Sequence, residues 1–267
     1  MSKLQILLTN DDGIQSPGLW AAAESLSSLG FVTVVAPREQ SSGMGRSTPS
    51  TSDGIIKKET VEVNGNSWTV YAVGGSPAQA VQHGVYEIMK DKPDLVVSGI
   101  NYGENVASGI TISGTVGAAL EAASYGIPSL AISLQTSPKF HFSYSKEVDF
   151  NAAAYFAAYF GGILLEKKLP ADVDVLKVDV PTKATIETPW QVTRVSLQRY
   201  YEPLPPRRDS WDEPGSMWYT TNMTAEPPES NSDVLVLRTK GLVSVAPISL
   251  DLSSRVDSAE LEEIIRS

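Results

Sequence analysis

The chain has 267 residues, with 31 acidic and 21 basic side chains, a formal net charge of −10, two histidines and no cysteine. The absence of thiols excludes disulfides, a cysteine nucleophile, thiolate zinc sites and iron–sulfur clusters. The excess of acidic over basic side chains argues against binding to nucleic acid duplexes, because such binding needs clustered Lys and Arg side chains that neutralise phosphates.

The N-terminal half alternates strand patterns with helix patterns. A continuous apolar run at 4–9, LQILLT, is typical of a strand buried on both faces of a parallel sheet. Ser16 and Pro17 then predict a helix start, Gly30 predicts its end, and Asn64-Gly65-Asn66 predicts a hairpin turn. The other predicted elements of this half are strands at 31–36, 60–63, 68–73 and 95–98, a Ser- and Gly-rich loop at 37–52, and a helix opened by Ser76-Pro77.

The C-terminal half continues this alternation and then changes character. Its predicted elements are helices at 114–124, 145–168 and 258–266 and strands at 129–134, 174–180 and 243–248. Nine of the 17 prolines lie between Pro170 and Pro228, and possible strands at 192–197 and 234–238 bracket this Pro-rich excursion. Because the excursion also carries Trp211, Trp218 and Tyr219, a subunit contact is favoured over an idle linker.

The rhythm of strands and helices predicts a doubly wound, mostly parallel α/β sheet, Rossmann-like, with a C-terminal extended hairpin and tail for oligomerisation. We expect one domain over 1–267, with a core sheet at about 1–181, the Pro-rich excursion and hairpin at about 182–240, and a strand and helix at about 241–267. The opening segment lacks a signal peptide's apolar length, and no apolar run reaches the roughly 20 residues that span a bilayer. We therefore expect a cytoplasmic protein without membrane contact.

Oxygen-rich segments follow the predicted strands. Asn10-Asp11-Asp12-Gly13 follows the first strand, Ser41-Ser42-Gly43 the second and Gly99-Ile100-Asn101 the third buried one, while Ser113-Gly114-Thr115 opens a helix. Because the carboxyl ends of parallel strands meet at one edge of a sheet, we expect these segments to converge. Carboxylate, hydroxyl and amide oxygens are hard ligands that suit Mg²⁺ or Mn²⁺.

Each of these signals also has a purely structural interpretation. Asp-Asp-Gly is typical of a turn or helix cap, and Ser113 is typical of an N-cap. A helix start beside a divalent cation nevertheless suits a phosphate ester. The dinucleotide glycine fingerprint, the P-loop, the nucleophile elbow and H-E-x-x-H are all missing from the sequence. We expect neither His83, within an apolar helix, nor His141, in a loop near the site, to act as a general acid.

Five blocks of sequence resemble a known family in the same order. They are ILLTNDDGIQSPG, VVAPREQSSGMGRS, VGGSPAQAV, DLVVSGINYGENV and SGTVGAALEAASYGIPSLAIS. On these blocks the chain resembles the SurE family of stationary-phase survival proteins, which act as metal-dependent nucleotidases. Weaker similarity continues through LKVDVP, VTRVSLQRYY and GLVSVAPISLDL, so the resemblance covers nearly the whole chain.

The resemblance implies a set of site residues and an activity. It implies one divalent cation per subunit, Mg²⁺ or Mn²⁺, held by Asp11, Asp12, Ser42 and Asn101, with Asp11 and Asp12 as the catalytic residues. The implied phosphate-binding residues are Asn10, Asn105, Ser113, Gly114 and Thr115. The implied reaction is hydrolysis of nucleoside 5′-monophosphates to nucleoside and phosphate, with 3′-nucleotides and short polyphosphates as further substrates. The implied assembly is a homodimer or homotetramer that exchanges C-terminal segments.

The chain departs from the family pattern at positions that bear on substrate preference. Arg38 stands where an acid is common, Ile112 where a tyrosine is common, and Asp179 where an asparagine is usual; no histidine follows His141. The alternative prediction is a non-catalytic module, on the same fold, that binds a nucleotide or senses a metal. A glycosyltransferase stays open on fold grounds, whereas a dehydrogenase lacks the glycine fingerprint.

Overall fold

The computed structural model describes residues 3–221 and 228–267. The strands are β1 (Gln5–Thr9), β2 (Phe31–Pro37), β3 (Ile56–Val63), β4 (Asn66–Val73), β5 (Leu95–Tyr102), β6 (Ser129–Leu134), β7 (Val175–Val180), β8 (Trp190–Val192), β9 (Tyr201–Leu204), β10 (Trp218–Thr221) and β11 (Val243–Ile248). The helices are α1 (Pro17–Leu26), α2 (Pro77–His83), α3 (Gly114–Ser124), α4 (Asn151–Glu166) and α5 (Ser258–Arg266).

A nine-stranded sheet forms the centre of the fold, in the order β3-β4-β2-β1-β5-β6-β7-β11-β8. The six strands from β4 to β7 in this order are parallel to their neighbours, while β3 and β11 run antiparallel at the two sides. The strand β1 lies between β2 and β5, so its carboxyl end lies at the middle of the sheet edge. The predicted mostly parallel α/β sheet is confirmed.

Helices cover both faces of this sheet. Leu8 belongs to the apolar core that includes α1 and α4, whereas the adjacent Leu7 belongs to the core that includes α2 and α3. This alternation is what a strand buried on both faces requires, because successive side chains point to opposite faces. The predicted hairpin is also present: Asn64 and Gly65 both have positive φ, as its tight turn requires.

Three predictions about secondary structure are wrong in whole or in part. The helix predicted at 145–168 begins at Asn151, because the Asp149 carboxylate accepts a hydrogen bond from the Asn151 N–H and ends the preceding loop. The strand predicted at 234–238 is a helical turn, Leu235–Thr239, since the Ser232 hydroxyl accepts the Leu235 N–H and favours helical geometry there. Of the strand predicted at 192–197, only the first residue lies in a strand, the short β8.

Parts of the excursion and of the C-terminal segment lie outside the nine-stranded sheet, although each contributes one strand to it, β8 and β11 respectively. Within the excursion, β9 and β10 form a separate two-stranded antiparallel sheet. Residues 251–267 are exposed along their whole length, including the predicted amphipathic helix α5. In the described ranges no helix combines the length and the apolar character that crossing a membrane requires. The predicted division at about 181 and 240, and the cytoplasmic location, stay predictions.

Candidate active site

A pocket of about 280 Å³ lies at the carboxyl ends of β1 and β5. Five of the predicted site residues line it: Asp11, Ser42, Asn101, Asn105 and Ser113. The segments that follow separate strands therefore converge, as expected for this kind of sheet. The remaining four predicted residues are buried and are not among the lining residues: Asn10, Asp12, Gly114 and Thr115.

Asp11 is held rigidly by the start of α3. Its side chain is 4% exposed, and the Thr115 hydroxyl donates a hydrogen bond of 2.6 Å to its Oδ1. Burial raises the pKa of Asp11, while the hydrogen bonds from Thr115 and Gly114 oppose that rise. The predicted phosphate contacts of Gly114 and Thr115 stay a prediction, and in this structure both residues hydrogen-bond to Asp11.

Asp12 is the second buried carboxylate of the pair. Its Oδ2 accepts the Tyr102 N–H at 3.0 Å, and its Oδ1 accepts from Gln40 at 3.3 Å. Burial raises the pKa of Asp12 well above its usual range, and the neighbouring Asp11 charge raises it further. The Tyr144 hydroxyl also donates to the Asp12 carbonyl at 2.9 Å, which holds the peptide that follows the acid pair.

The residues present fit a divalent cation. No ion pair among the described residues includes Asp11 or Asp12, so two adjacent buried carboxylates lack a protein cation to compensate them. The Asn101 amide nitrogen donates to the Gly103 carbonyl at 2.7 Å, which leaves its amide oxygen as the free ligand atom. The described ranges contain no cluster of three acidic or histidine side chains placed for a metal, so neutral oxygens must complete the set. Mg²⁺ and Mn²⁺ accept such oxygen ligands.

The other predicted phosphate residues are less available than Asn105. The Ser113 hydroxyl accepts the Val116 N–H at 3.1 Å, so the side chain caps α3 although the residue lines the pocket. The Asn10 amide bonds twice to the backbone of Gly13 and shapes the turn. Asn105 lines the pocket, and its amide nitrogen donates to the Ser133 hydroxyl at 2.9 Å. Whether any of these residues binds phosphate stays a prediction.

Ser42 lies on a loop that is tied to α3. The Gly45 N–H donates to the Ile112 carbonyl at 3.0 Å, and the Arg46 guanidinium contacts Glu121 of α3 at 2.7 Å. Gly117 allows this approach, because a Cβ there would lie 2.2 Å from the Gly45 carbonyl oxygen. The loop is therefore held beside the acid pair, with Ser42 itself exposed.

The other end of the pocket is aromatic, and sequence reasoning missed most of it. Phe142, Tyr201 and Tyr219 line this end beside Ile112, and we call the three aromatic residues the aromatic wall. The Tyr201 and Tyr219 rings meet edge to face at 5.2 Å, and both come from the β9–β10 sheet. The aromatic content of 218–219 was the available signal, but nothing local to it indicated the pocket.

His141 joins the aromatic wall to the acid pair. Its Nδ1 lies 2.7 Å from the Tyr219 hydroxyl, and its carbonyl accepts a hydrogen bond from Gln40, which also contacts Asp12. Burial lowers the pKa of His141, so the ring is neutral at pH 7. His141 thus lies in the loop near the site as predicted, and it connects the two ends of the pocket.

The fold and the site together define a class: doubly wound α/β proteins whose acidic pocket lies at the carboxyl edge of the parallel strands. Within that class, the family described as Survival protein SurE matches residues 6–202. Its relatives include proteins named 5′-nucleotidase SurE in Methanosarcina mazei, 40% identical over 98% of this chain and 97% of that one, and in Thermococcus gammatolerans, 39% identical over 98% and 96%. A crystal structure titled as the SurE protein from Aquifex aeolicus has a TM-score of 0.76 at 31% identity, covering 98% of this chain and 99% of that one. The chain belongs to the SurE family, and the resemblance seen in the sequence is confirmed.

Proposed function

We propose that the chain is a divalent-metal-dependent 5′-nucleotidase that releases phosphate from nucleoside 5′-monophosphates. One observation carries the proposal: a single pocket is lined at one end by Asp11, whose buried neighbour Asp12 also lacks a cationic partner among the described residues, and at the other end by the aromatic wall. The acidic end suits a cation and the phosphate it would bind, and the aromatic wall suits a base that stacks on it. The names of the relatives support the same reaction.

In the proposed reaction, a water oxygen bonds to phosphorus, the ester P–O bond breaks and the nucleoside oxygen leaves with a proton. A bound cation would polarise a phosphoryl oxygen and neutralise the charge that develops on it. Asp11, Asp12, Ser42 and Asn101 would hold that cation through their oxygens. Asn105, which lines the pocket, would contact the phosphate.

The two acids have further roles in this proposal. One of the two acids would also take the proton of the attacking water, and Asp11 lines the pocket whereas Asp12 does not. His141 does not suit proton donation to the leaving group, because its Nδ1 faces Tyr219 and its Nε2 faces the Thr136 carbonyl.

Phosphate release from a panel of nucleoside monophosphates, with Mg²⁺, Mn²⁺ or a chelator, tests the proposal. We expect turnover only with metal, and a loss of at least about 100-fold in Asp11→Asn and Asp12→Asn, the scale typical of lost metal or acid–base groups. Asp91→Asn, at an exposed aspartate, is the matched control and keeps full activity. Turnover in the chelator, or full activity of the site variants, overturns the proposal.

The same panel separates the alternatives. When 3′-nucleotides and short polyphosphates are added to the panel, the assay also tests the wider substrate range that the family resemblance implies. A non-catalytic module predicts tight nucleotide binding by calorimetry without phosphate release. We favour the enzyme because the uncompensated acids lie beside the pocket rather than in a structural ion pair.

We also propose a cytoplasmic homodimer or homotetramer built through the excursion and the C-terminal segment. The support is that α5 exposes Leu261, Ile264 and Ile265, which are 41%, 62% and 74% accessible in the isolated chain. An amphipathic helix with its apolar side exposed gains free energy when a partner covers it. Light scattering of the wild type and of Ile264→Glu/Ile265→Glu tests the assembly, and fractionation of cells tests the location.

A further inference from the structure

Three charged side chains are completely buried beside the loop that carries Asn105. Lys177 and Asp179 come from β7, and Asp233 comes from the end of the excursion; all three are 0% exposed. The Lys177 Nζ lies 2.5 Å from the Asp179 carboxylate and 3.1 Å from that of Asp233. We call these residues the buried triad.

Stability alone does not explain the buried triad. Removing three charges from water is costly, and well-packed apolar residues in their place are often as stable or more so. The triad departs from ordinary core packing in one further respect, because its carboxylate oxygens accept hydrogen bonds from backbone N–H groups of other segments. Asp179 accepts from Asn105 at 2.8 Å, and Asp233 accepts from Ala107 at 3.2 Å and from Ser196 at 3.0 Å.

These hydrogen bonds converge on the loop between β5 and α3. Asn105 and Ala107 both belong to it, and Ala107 has a φ of 56°, the left-handed region that a residue with a Cβ rarely adopts. The bond from the Ala107 N–H to Asp233 opposes relaxation of this conformation. The first part of the loop, at Asn105 and Ala107, is therefore held from β7 and the excursion.

We propose that the buried triad is a positioning device that sets the place of Asn105 in the phosphate end of the pocket. The proposal rests on the proposed function, since it concerns the same site. Asp179 fixes the Asn105 backbone and Ser133 fixes its amide nitrogen, so the side chain has one orientation toward the pocket. Lys177 holds the two carboxylates together, and through Ser196 the same network ties the excursion to the loop.

The charge state of the triad agrees with this role. Burial lowers the pKa of Lys177, but the two adjacent carboxylates outweigh burial and bring it above its usual value. The lysine is therefore protonated at neutral pH and can bridge both acids.

A double-mutant cycle between Asp179 and Asn105 tests the proposal. Asp179→Leu removes the acceptor of the Asn105 N–H, and we expect the KM for p-nitrophenyl phosphate, and the inhibition constant of inorganic phosphate, to rise about 10- to 100-fold, the range of a lost hydrogen bond to a charged group. Asn105→Ala gives a similar rise. Because the two residues act as one unit, the double variant is expected to be no worse than Asn105→Ala alone.

Two further variants separate positioning from general destabilisation. Asp174→Leu, directly before the same strand, also removes a carboxylate acceptor of a backbone N–H, that of Leu250, and we expect it to leave KM unchanged. Asp179→Asn keeps an acceptor oxygen and is expected to recover most of the affinity lost in Asp179→Leu. Additive effects in the cycle, or an equal rise of KM in Asp174→Leu, overturn the proposal.

Failure of the proposed function and failure of the positioning proposal give different results. If the wild type releases no phosphate, the proposed function fails. The double-mutant cycle is then measured as the affinity of each variant for inorganic phosphate, by calorimetry in the presence of Mn²⁺. Loss of that binding in Asp179→Leu without further loss in the double variant supports positioning. Unchanged phosphate binding in Asp179→Leu refutes it.

Discussion

The contact between Gly114 and Asp11 makes a sharp prediction about the acid pair. A Cβ at position 114 would lie 2.7 Å from the Asp11 Cβ, 2.9 Å from its Oδ2 and 3.1 Å from the Pro77 Cγ. Carbon atoms in contact are optimally separated by about 3.5–4.0 Å, so Gly114→Ala must displace the Asp11 carboxylate by about 1 Å. The 2.6 Å bond to Thr115 resists that movement, so either the bond or the ligand geometry is lost.

A displacement of this size should reduce the rate of catalysis strongly while lowering the stability of the fold only a little. Misplacement by about 1 Å is worth about 100-fold in rate, or about 2.7 kcal/mol of transition-state stabilisation. We therefore expect Gly114→Ala to lose about 100-fold in kcat/KM, with weaker Mn²⁺ binding by calorimetry, while the protein stays folded. The assay is phosphate release from a nucleoside 5′-monophosphate, with the melting temperature measured on the same samples.

Gly162→Ala is the matched control for this variant. It also adds one Cβ to a helical glycine, but its nearest neighbour is the Leu29 Cδ2 at 3.7 Å, an ordinary contact. We expect wild-type activity and a gain of about 0.5–1 kcal/mol in the free energy of unfolding, because glycine is unfavourable inside α4. The reasoning is refuted if folded Gly114→Ala keeps kcat/KM within about threefold of the wild type, since the placement of Asp11 would then not matter.

Three other predictions follow from the same geometry. Burial raises the pKa of Asp11 and Asp12 above the usual 3.8, so the contribution of these acids to stability is full below that pH and is lost as pH rises above it. Without a cation the melting temperature should therefore fall with rising pH more than in Asp12→Asn, and Mn²⁺ should restore it; a parallel fall in both proteins would contradict this. Phe142 lies at the half-exposed edge of the aromatic wall, so Phe142→Ala should raise KM for nucleoside 5′-monophosphates about tenfold. The KM for glycerol 3-phosphate, which has no base, should stay unchanged, and an equal rise for both substrates argues against stacking. Arg46→Met should lower the free energy of unfolding, measured by denaturant titration, by only about 1 kcal/mol, because the arginine side chain is 40% exposed. The same variant should weaken Mn²⁺ binding because it releases the Ser42 loop from Glu121. Unchanged Mn²⁺ affinity would mean that this contact does not hold the loop in place.

Local sequence signals were sufficient for most of the fold. The apolar run of β1, the Asn-Gly turn and the Ser-Pro helix starts each depend on a few adjacent residues, and each element is present. The failures occurred where a distant or capping side chain decides the backbone. Val234 and Val236 favour a strand by composition, but Ser232 and the buried Asp233 fix a helical turn there.

The site, like the fold, could be predicted only as far as local sequence patterns and the family resemblance reach. The convergence of Asp11, Ser42 and Asn101 followed from the rule that strand ends meet at one edge, and the ligand roles came from the family resemblance. The hydrogen bond between Thr115 and Asp11 joins residues 104 positions apart, and the aromatic wall comes from residues still more distant. Pairings over such separations depend on tertiary packing, which no local pattern records.

The separation of the β9–β10 sheet from the nine-stranded sheet has a consequence for how such a protein can diversify. The acid pair lies at strand ends in the rigid centre, where almost any substitution disturbs the core, whereas Tyr201 and Tyr219 lie on a small peripheral hairpin. Under the proposed function, replacements on the hairpin would change the surface that a base meets while leaving Asp11 and Asp12 in place. A library confined to residues 201–204 and 218–221 would therefore be expected to change base preference more than the chemistry at phosphorus.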